Sequence, residues 1–147
     1  MSTQSFLMQM IRQLISTPSV SCVNPDIDQS NTGVINLLAN WLDQLGFQVE
    51  IMPVADGKAN LIATLGTLSA SSKHGGLILA GHTDTVPYDE NRWQHDPFTL
   101  SEDDGKLYGL GTSDMKAFLA LAIEAAVTFK ANEYKQPHII LAGEGWF

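Results

Sequence analysis

The sequence has little cysteine, little positive charge and no long apolar run. Cys22 is the single cysteine, which excludes an internal disulfide framework and a cysteine-clustered zinc site. The 8 lysines and arginines are outnumbered by 16 aspartates and glutamates, so the formal net charge is −8. Nucleic acid and anionic membranes bind basic protein surfaces, and a chain this acidic is a poor candidate for either partner. We therefore expect no nucleic acid and no membrane among its partners.

Membrane insertion and secretion are not expected either. The most apolar stretch, 117–129, is interrupted by Glu124 and is shorter than the ~20 residues that a transmembrane helix needs. The first residues lack the basic and apolar segments of a signal peptide. Together with the lone cysteine, these features favour a cytoplasmic location. The 147 residues, 44% of them hydrophobic, suffice for about one folded domain.

Hydrophobic periodicity predicts an α/β fold with a mixed sheet. Apolar residues at helical spacing predict three helices, over about 4–16, 31–45 and 115–130. Alternating or continuous apolar runs predict strands at 47–52, 60–65, 77–81 and 137–142, with a further pair at 98–100 and 106–108. Gly46 is placed to end the second helix in a left-handed conformation. We expect three layers, with helices on both faces of the sheet and the strand at 77–81 covered on both sides.

The first candidate site is the segment Gly-His-Thr-Asp-Thr-Val-Pro at 81–87, which follows a predicted strand. Ligands of open α/β sheets collect outside the carboxyl ends of the strands. His82 and Asp84 are two residues apart, so in extended backbone their side chains point to the same side. A metal-binding imidazole usually donates its other ring N–H to a carboxylate or carbonyl, a role open to Asp84 unless it binds the metal itself. Alternatively, the two side chains hydrogen-bond each other for structural reasons alone.

The second candidate is the glycine-rich segment at 109–116, in which Asp114 precedes the third predicted helix. Asp114 either caps that helix, as aspartate often does, or serves as a metal ligand held by a rigid loop. Gly109 and Gly111 resemble part of a phosphate-binding loop, but neither usual glycine pattern is completed, so nucleotide binding has weak support. Structural or solvated roles are expected for the remaining candidates: Cys22, His74, His95, His138 and the acidic turn at 102–104.

Three motifs taken together are more specific than any one of them. They are Gly-His-Thr-Asp-Thr-Val-Pro at 81–87, Arg-Trp with Asp-Pro-Phe within 92–98, and Tyr-Gly-Leu-Gly-Thr-Ser-Asp-Met-Lys at 108–116. With Thr-Pro-Ser-Val-Ser at 17–21 and Leu-Gly-Phe at 45–47, they resemble the zinc-dependent aminoacylase and deacylase family of metallopeptidases. The resemblance covers residues 5 to about 142. It implies that residues 1–147 are the N-terminal part of the catalytic domain of a di-zinc amidohydrolase.

The resemblance implies roles for three residues. His82 corresponds to a ligand of one metal, Asp84 to the carboxylate that orients it, and Asp114 to the carboxylate that bridges two zinc ions before a cis peptide bond to Met115. Cobalt and manganese are alternatives to zinc, because these donors suit several divalent ions. The implied reaction is hydrolysis of a small-molecule N-acyl amino acid. A carboxylate base takes a proton from water and passes it to the leaving amine.

Two departures from the family pattern bear on activity. Ala117 stands where the family usually has glycine, which removes no ligand. The acidic pair that supplies the base and a further ligand falls on Trp146 and Phe147, although Glu144 is an alternative base. The later ligands and the smaller second domain, through which the family often dimerises, have no counterpart in this sequence. We therefore expect a truncated chain that is inactive alone, or a non-enzymatic binding module with a vestigial metal half-site.

Overall fold

The computed structural model describes residues 3–66, 76–130 and 138–143. The helices are α1 (Thr3–Ile15), α2 (Thr32–Gln44) and α3 (Lys116–Lys130). The strands are β1 (Gln48–Ala55), β2 (Lys58–Leu65), β3 (Leu77–His82), β4 (Ser101–Asp103), β5 (Lys106–Tyr108) and β6 (His138–Gly143). A 3-10 turn at Glu90–Arg92 lies between β3 and β4. Each helix in these ranges is too short or too polar to cross a membrane.

Four strands form one mixed sheet in the order β1-β2-β6-β3. β1 and β2 form an antiparallel hairpin, and its turn contains Gly57 with a φ of 69°. β6 runs antiparallel to β2 and parallel to β3, so that His82 lies opposite Gly143. The α/β class and the mixed sheet predicted from the sequence are therefore confirmed.

One hydrophobic core lies between the helices and one face of the sheet. Alternate strand residues point into it, among them Leu61 and Ala63 of β2 and Ile140 of β6, and each is at most 1% exposed. The helices contribute side chains that are equally buried: Met10, Leu14, Ile15, Val34, Ile35, Leu38, Leu42, Leu119 and Ile123. Burial of each large aliphatic side chain contributes about 1.5–3 kcal/mol. This layer holds α3 against the strand that carries His82.

The opposite face of the sheet carries no helix within the described ranges. Ile78 of β3 is 56% exposed, whereas its neighbour Leu79 packs against the core, and Met52 of β1 is 40% exposed. The prediction that β3 is covered on both sides is therefore wrong for the described residues. There, β3 pairs with β6 alone and α3 packs on one side of it. The expected second layer of helices is not among these residues.

The small β4–β5 hairpin begins later than the sequence predicts, at Ser101 rather than 98. The Asp96 carboxylate accepts hydrogen bonds from the backbone N of Phe98 at 3.0 Å and from Oγ1 of Thr99 at 2.7 Å. These two bonds hold 96–99 as a turn and lower the pKa of Asp96. The acidic turn at 102–104 is exposed, as predicted, with Asp104 in a left-handed conformation at φ 48°.

Candidate metal centre

Two segments meet beside the carboxyl end of β3. After His82 the chain continues in an extended form to Thr85, which forms a parallel bridge with Val20. α3 packs against β3 and begins two residues after Asp114. Helix and strand approach closely at Gly81, where a Cβ atom would lie only 2.9 Å from the Phe118 ring. This approach brings the segment after β3 next to the loop before α3.

His82 lies between the two candidate carboxylates. Its Nε2 is 2.9 Å from Oδ1 of Asp114. Its Nδ1 is 3.1 Å from Oδ1 of Asp84 and 3.0 Å from the backbone O of the same residue. The side chains of His82 and Asp84 are 33% and 22% exposed, whereas that of Asp114 is 76% exposed. The His82 ring is therefore half-buried where it faces Asp84 and open to solvent where it faces Asp114.

The contacts with Asp84 determine which ring nitrogen of His82 carries a proton. Two acceptor oxygens face Nδ1, so Nδ1 donates and Nε2 has a free lone pair in the neutral ring. This lone pair faces a carboxylate oxygen 2.9 Å away, and the two repel unless a proton or a cation lies between them. Burial lowers the pKa of His82, but the hydrogen bonds and negative charges of Asp114 and Asp84 outweigh it and raise the pKa above 6.5. The arrangement therefore attracts positive charge.

The donors suit a divalent metal ion in type but not in number. Imidazole nitrogen and carboxylate oxygen are ordinary zinc ligands, and the bond from Nδ1 to Asp84 is the support that a zinc-binding histidine usually has. Within the described ranges, no group of three or more metal-ligating side chains is present. A catalytic zinc usually has three protein ligands. His82 and Asp114 therefore fit part of a metal site.

The structure distinguishes the two interpretations of Asp114. Its carboxylate contacts Nε2 of His82, and no described hydrogen bond joins it to the backbone of α3. The first turn of α3 instead uses carbonyl acceptors, with Ala117 N donating to Gly111 O and Phe118 N donating to Met115 O. Asp114 is therefore not the cap of this helix. The peptide bond between Asp114 and Met115 is cis, as the resemblance implies.

The other candidates have different surroundings. His95 lines a cavity of about 460 Å³ together with Arg92 and Trp93. Cys22 is a free thiol whose Sγ accepts a hydrogen bond from the backbone of Asn24. Three candidates lie outside the described residues or side chains: His74, His138 and Glu144.

Sequence reasoning missed a set of buried polar residues behind the site. Ser19, Asn31 and Thr83 are 0% exposed, and Lys116 is 1% exposed. Asn31 and Ser19 both bond to Thr83, while Nζ of Lys116 donates to the backbone O of Thr17 at 2.6 Å. Burial lowers the pKa of Lys116 to about 8. Ser19 and Lys116 belong to motifs quoted above, but they bond to residues 64 and 99 positions away, and no local pattern shows this.

Known proteins resemble this chain in sequence and in fold. Residues 78–143 match the family model for peptidase family M20/M25/M40. Acetylornithine deacetylases from Proteus mirabilis (strain HI4320) and Yersinia pseudotuberculosis serotype O:1b (strain IP 31758) are 56% and 54% identical to it over 136 residues, or 91% of this chain. The alignments cover 34% and 35% of these relatives, so the chain spans about a third of their length.

A solved structure shows the same fold. An M20 family metallo-carboxypeptidase from Sulfolobus solfataricus superposes with a TM-score of 0.76 at 21% identity, over 95% of this chain and 30% of that protein. Taken together, the sequence motifs resemble acetylornithine deacetylases within that family, and the relatives named above are acetylornithine deacetylases. Residues 78–143 belong to peptidase family M20/M25/M40, and 91% of the chain aligns with acetylornithine deacetylases.

Proposed function

We propose that residues 1–147 form the N-terminal part of the catalytic domain of an amidohydrolase that acts on N-acetylornithine. The reaction adds water across the amide bond and releases acetate and ornithine, which serves arginine biosynthesis. The identity of 56% to an acetylornithine deacetylase supports this substrate. The observation that carries the proposal is the 2.9 Å approach of His82 Nε2 to Asp114 Oδ1, with Asp84 on the other ring nitrogen.

Zinc is the proposed cofactor, as two ions, with cobalt or manganese as substitutes. When bound, such ions activate a water molecule and polarise the amide carbonyl. His82 would hold one ion through Nε2, and the exposed Asp114 carboxylate would be shared between the two. Asp84 would keep Nδ1 protonated and the ring oriented, because its oxygens already face that nitrogen. The role proposed for Asp84 is therefore to position His82.

The two donors are too few for efficient catalysis. Asp84 is engaged by His82, so a different carboxylate must accept the proton of water and deliver it to the leaving amine. Glu144 is the proposed candidate within this sequence, and it lies outside the described residues. We propose weak metal binding and little turnover for residues 1–147 alone.

The proposed setting is a reducing cytoplasm, in which the free thiol of Cys22 would persist. The proposed partner is a small N-acyl amino acid. The net charge of −8 argues against nucleic acid and anionic membranes as further partners. Dimerisation is proposed only for a protein that also carries the second domain of the family.

Zinc titration of the purified chain by calorimetry tests the metal site. Asp114→Ala removes one proposed ligand, and the 76% exposure of this side chain means that the fold should tolerate the change. Asp103→Ala is the matched control, because Asp103 is an exposed carboxylate on β4. We expect saturable binding by the wild type and by Asp103→Ala, and loss of binding by Asp114→Ala.

Two results would contradict the proposed metal site. Equal binding by all three proteins would show that zinc binds elsewhere. Absence of binding by the wild type would favour the alternative of a binding module with a vestigial half-site. If binding is as expected, release of acetate from N-acetylornithine is the next measurement, with the Asp114→Ala variant as its blank.

A further inference from the structure

We infer that Ser19 and Asn31 clamp Thr83 and thereby position the His82–Asp84 pair. The three residues are fully buried and none of them is a candidate metal ligand. The inference rests on the proposed function, because the metal ion that the His82–Asp84 pair would help to bind belongs to that proposal. The geometry of the pair can be tested without metal, so the two ideas can fail separately.

Thr83 lies between His82 and Asp84 and points the opposite way. Its side chain is 0% exposed, whereas those of His82 and Asp84 are 33% and 22% exposed. Successive residues of an extended backbone point to opposite sides. Contacts that hold the Thr83 side chain in the interior therefore also determine the direction in which the side chains of His82 and Asp84 point.

Each polar group of Thr83 has a partner from a different part of the chain. Its backbone N donates to the backbone O of Gly143 in β6 at 2.8 Å. Its backbone O accepts from Oγ of Ser19, in the loop after α1, at 2.7 Å. Its Oγ1 accepts from Nδ2 of Asn31, just before α2, at 2.9 Å. A residue held on three sides has little freedom to rotate.

Asn31 is itself held in one orientation. Its Oδ1 accepts from the backbone N of Ala59 at 2.9 Å, and its Nδ2 donates to the backbone O of Ala59 at 2.8 Å. The second hydrogen on Nδ2 is the one given to Thr83, so both amide hydrogens are used. A flipped amide would lose both bonds to the backbone of Ala59. Asn31 therefore ties β2 rigidly to the segment that carries His82 and Asp84.

Loss of the Thr83 hydroxyl would leave an amide hydrogen of Asn31 buried and without a partner. The segment would then be free to shift, and Asp84 would move relative to Nδ1 of His82. Disturbing the partner that orients a metal-binding histidine typically weakens metal binding ~10–100-fold. Two bonds to Thr83 remain, so we expect the lower end, a loss of about tenfold.

Thr83→Val is the test, and Thr85→Val is its matched control. Valine has almost the shape of threonine and lacks the hydroxyl. Thr83 and Thr85 flank Asp84 in the sequence. Thr85 is 2% exposed, and its Oγ1 has no hydrogen-bond partner among the described residues. The two substitutions thus differ in whether a buried hydrogen bond is lost.

The measurements are NMR of the His82 ring nitrogens in 15N-histidine-labelled protein, zinc affinity by calorimetry, and urea unfolding. A His82→Gln variant assigns the ring signals. We expect Thr83→Val to move the signals of the His82 ring nitrogens away from their wild-type positions, because the ring shifts relative to Asp84, and to weaken zinc binding about tenfold. Thr85→Val should leave both unchanged.

A Thr83→Val protein with wild-type ring signals would overturn the inference, even if it unfolds more easily, because the role of Thr83 would then be structural alone. If the wild type binds no zinc, the proposed function fails while the ring signals still decide the inference. If Thr83→Val does not fold, Ser19→Ala replaces it, since it removes a single bond to the backbone O of Thr83. Unchanged ring signals in Ser19→Ala would likewise overturn the inference.

Discussion

Replacing Gly81 with alanine tests the contact that brings α3 against β3. A Cβ atom at this position would lie 2.9 Å from Cδ1 of Phe118 and 3.0 Å from Cδ2 of Leu119. Ordinary contacts of a Cβ atom begin at 3.4 Å, so these neighbours must move by several tenths of an ångström. Both belong to α3, and the movement therefore separates helix from strand.

The size of the effect follows from how far each neighbour can move. Leu119 is 0% exposed and has no space to retreat, whereas Phe118 is half-buried and can rotate. An extra methyl group in a packed interior costs about 1–3 kcal/mol. With one of the two neighbours fixed, we expect the free energy of unfolding to fall by about 2 kcal/mol. The His82–Asp114 distance should lengthen with it, which weakens zinc binding.

Urea unfolding followed by circular dichroism measures this loss, provided that the slope with urea is unchanged. Ala80→Ser is the control, because Ala80 is the exposed neighbour on the other side of β3. It should change the free energy of unfolding by less than about 0.5 kcal/mol. A Gly81→Ala protein as stable as this control would refute the reasoning, since it would mean that α3 does not pack closely on β3.

Three further substitutions test the core, the site and one partly buried ion pair. Leu14→Ala should lower the free energy of unfolding by about 2–5 kcal/mol, because Leu14 is fully buried, while Leu121→Ala, at a side chain that is 51% exposed, should have little effect in the same urea assay. Asp84→Asn should weaken zinc binding only about tenfold in calorimetry, because the backbone O of this residue also lies 3.0 Å from Nδ1 of His82, and an unchanged affinity would contradict the role assigned to the carboxylate. A backbone hydrogen bond and then Lys58 lower the pKa of Asp28, so its carboxylate stabilises the fold above the ordinary pKa of 3.8 and ceases to do so as the pH falls through the lowered value. Urea midpoints should therefore be lower for Asp28→Asn than for the wild type near pH 6, and the difference should shrink near pH 3; a constant difference would contradict this account.

Local patterns predicted the secondary structure better than its assembly. The ends of α2 lie within one residue of the prediction, because helix periodicity and the left-handed Gly46 (φ 83°) are local signals. The exposure of β3 could not be predicted from local sequence signals. A continuous apolar run fits a strand covered on both sides, but cover depends on which elements pack there.

For the candidate site as well, local features were predictable from the sequence and contacts between distant segments were not. The shared direction of His82 and Asp84 follows from their spacing in extended backbone and was predictable. That Asp114 would meet them was implied by the family resemblance and not by spacing. The bonds from Ser19 and Asn31 to Thr83 span 64 and 52 positions, and single polar residues in loops have no periodicity that marks them as buried.

The position of β6 in the sheet affects how the chain can fold during its synthesis. β6 is made last among the described strands, yet it lies between β2 and β3, which do not pair with each other. Until residues 138–143 have left the ribosome, the β1–β2 hairpin and β3 have no strand to join them. Until then, their apolar side chains stay available to chaperones or to other nascent chains. The sheet can close only in a late step that joins segments distant in sequence, a kind of contact that forms slowly.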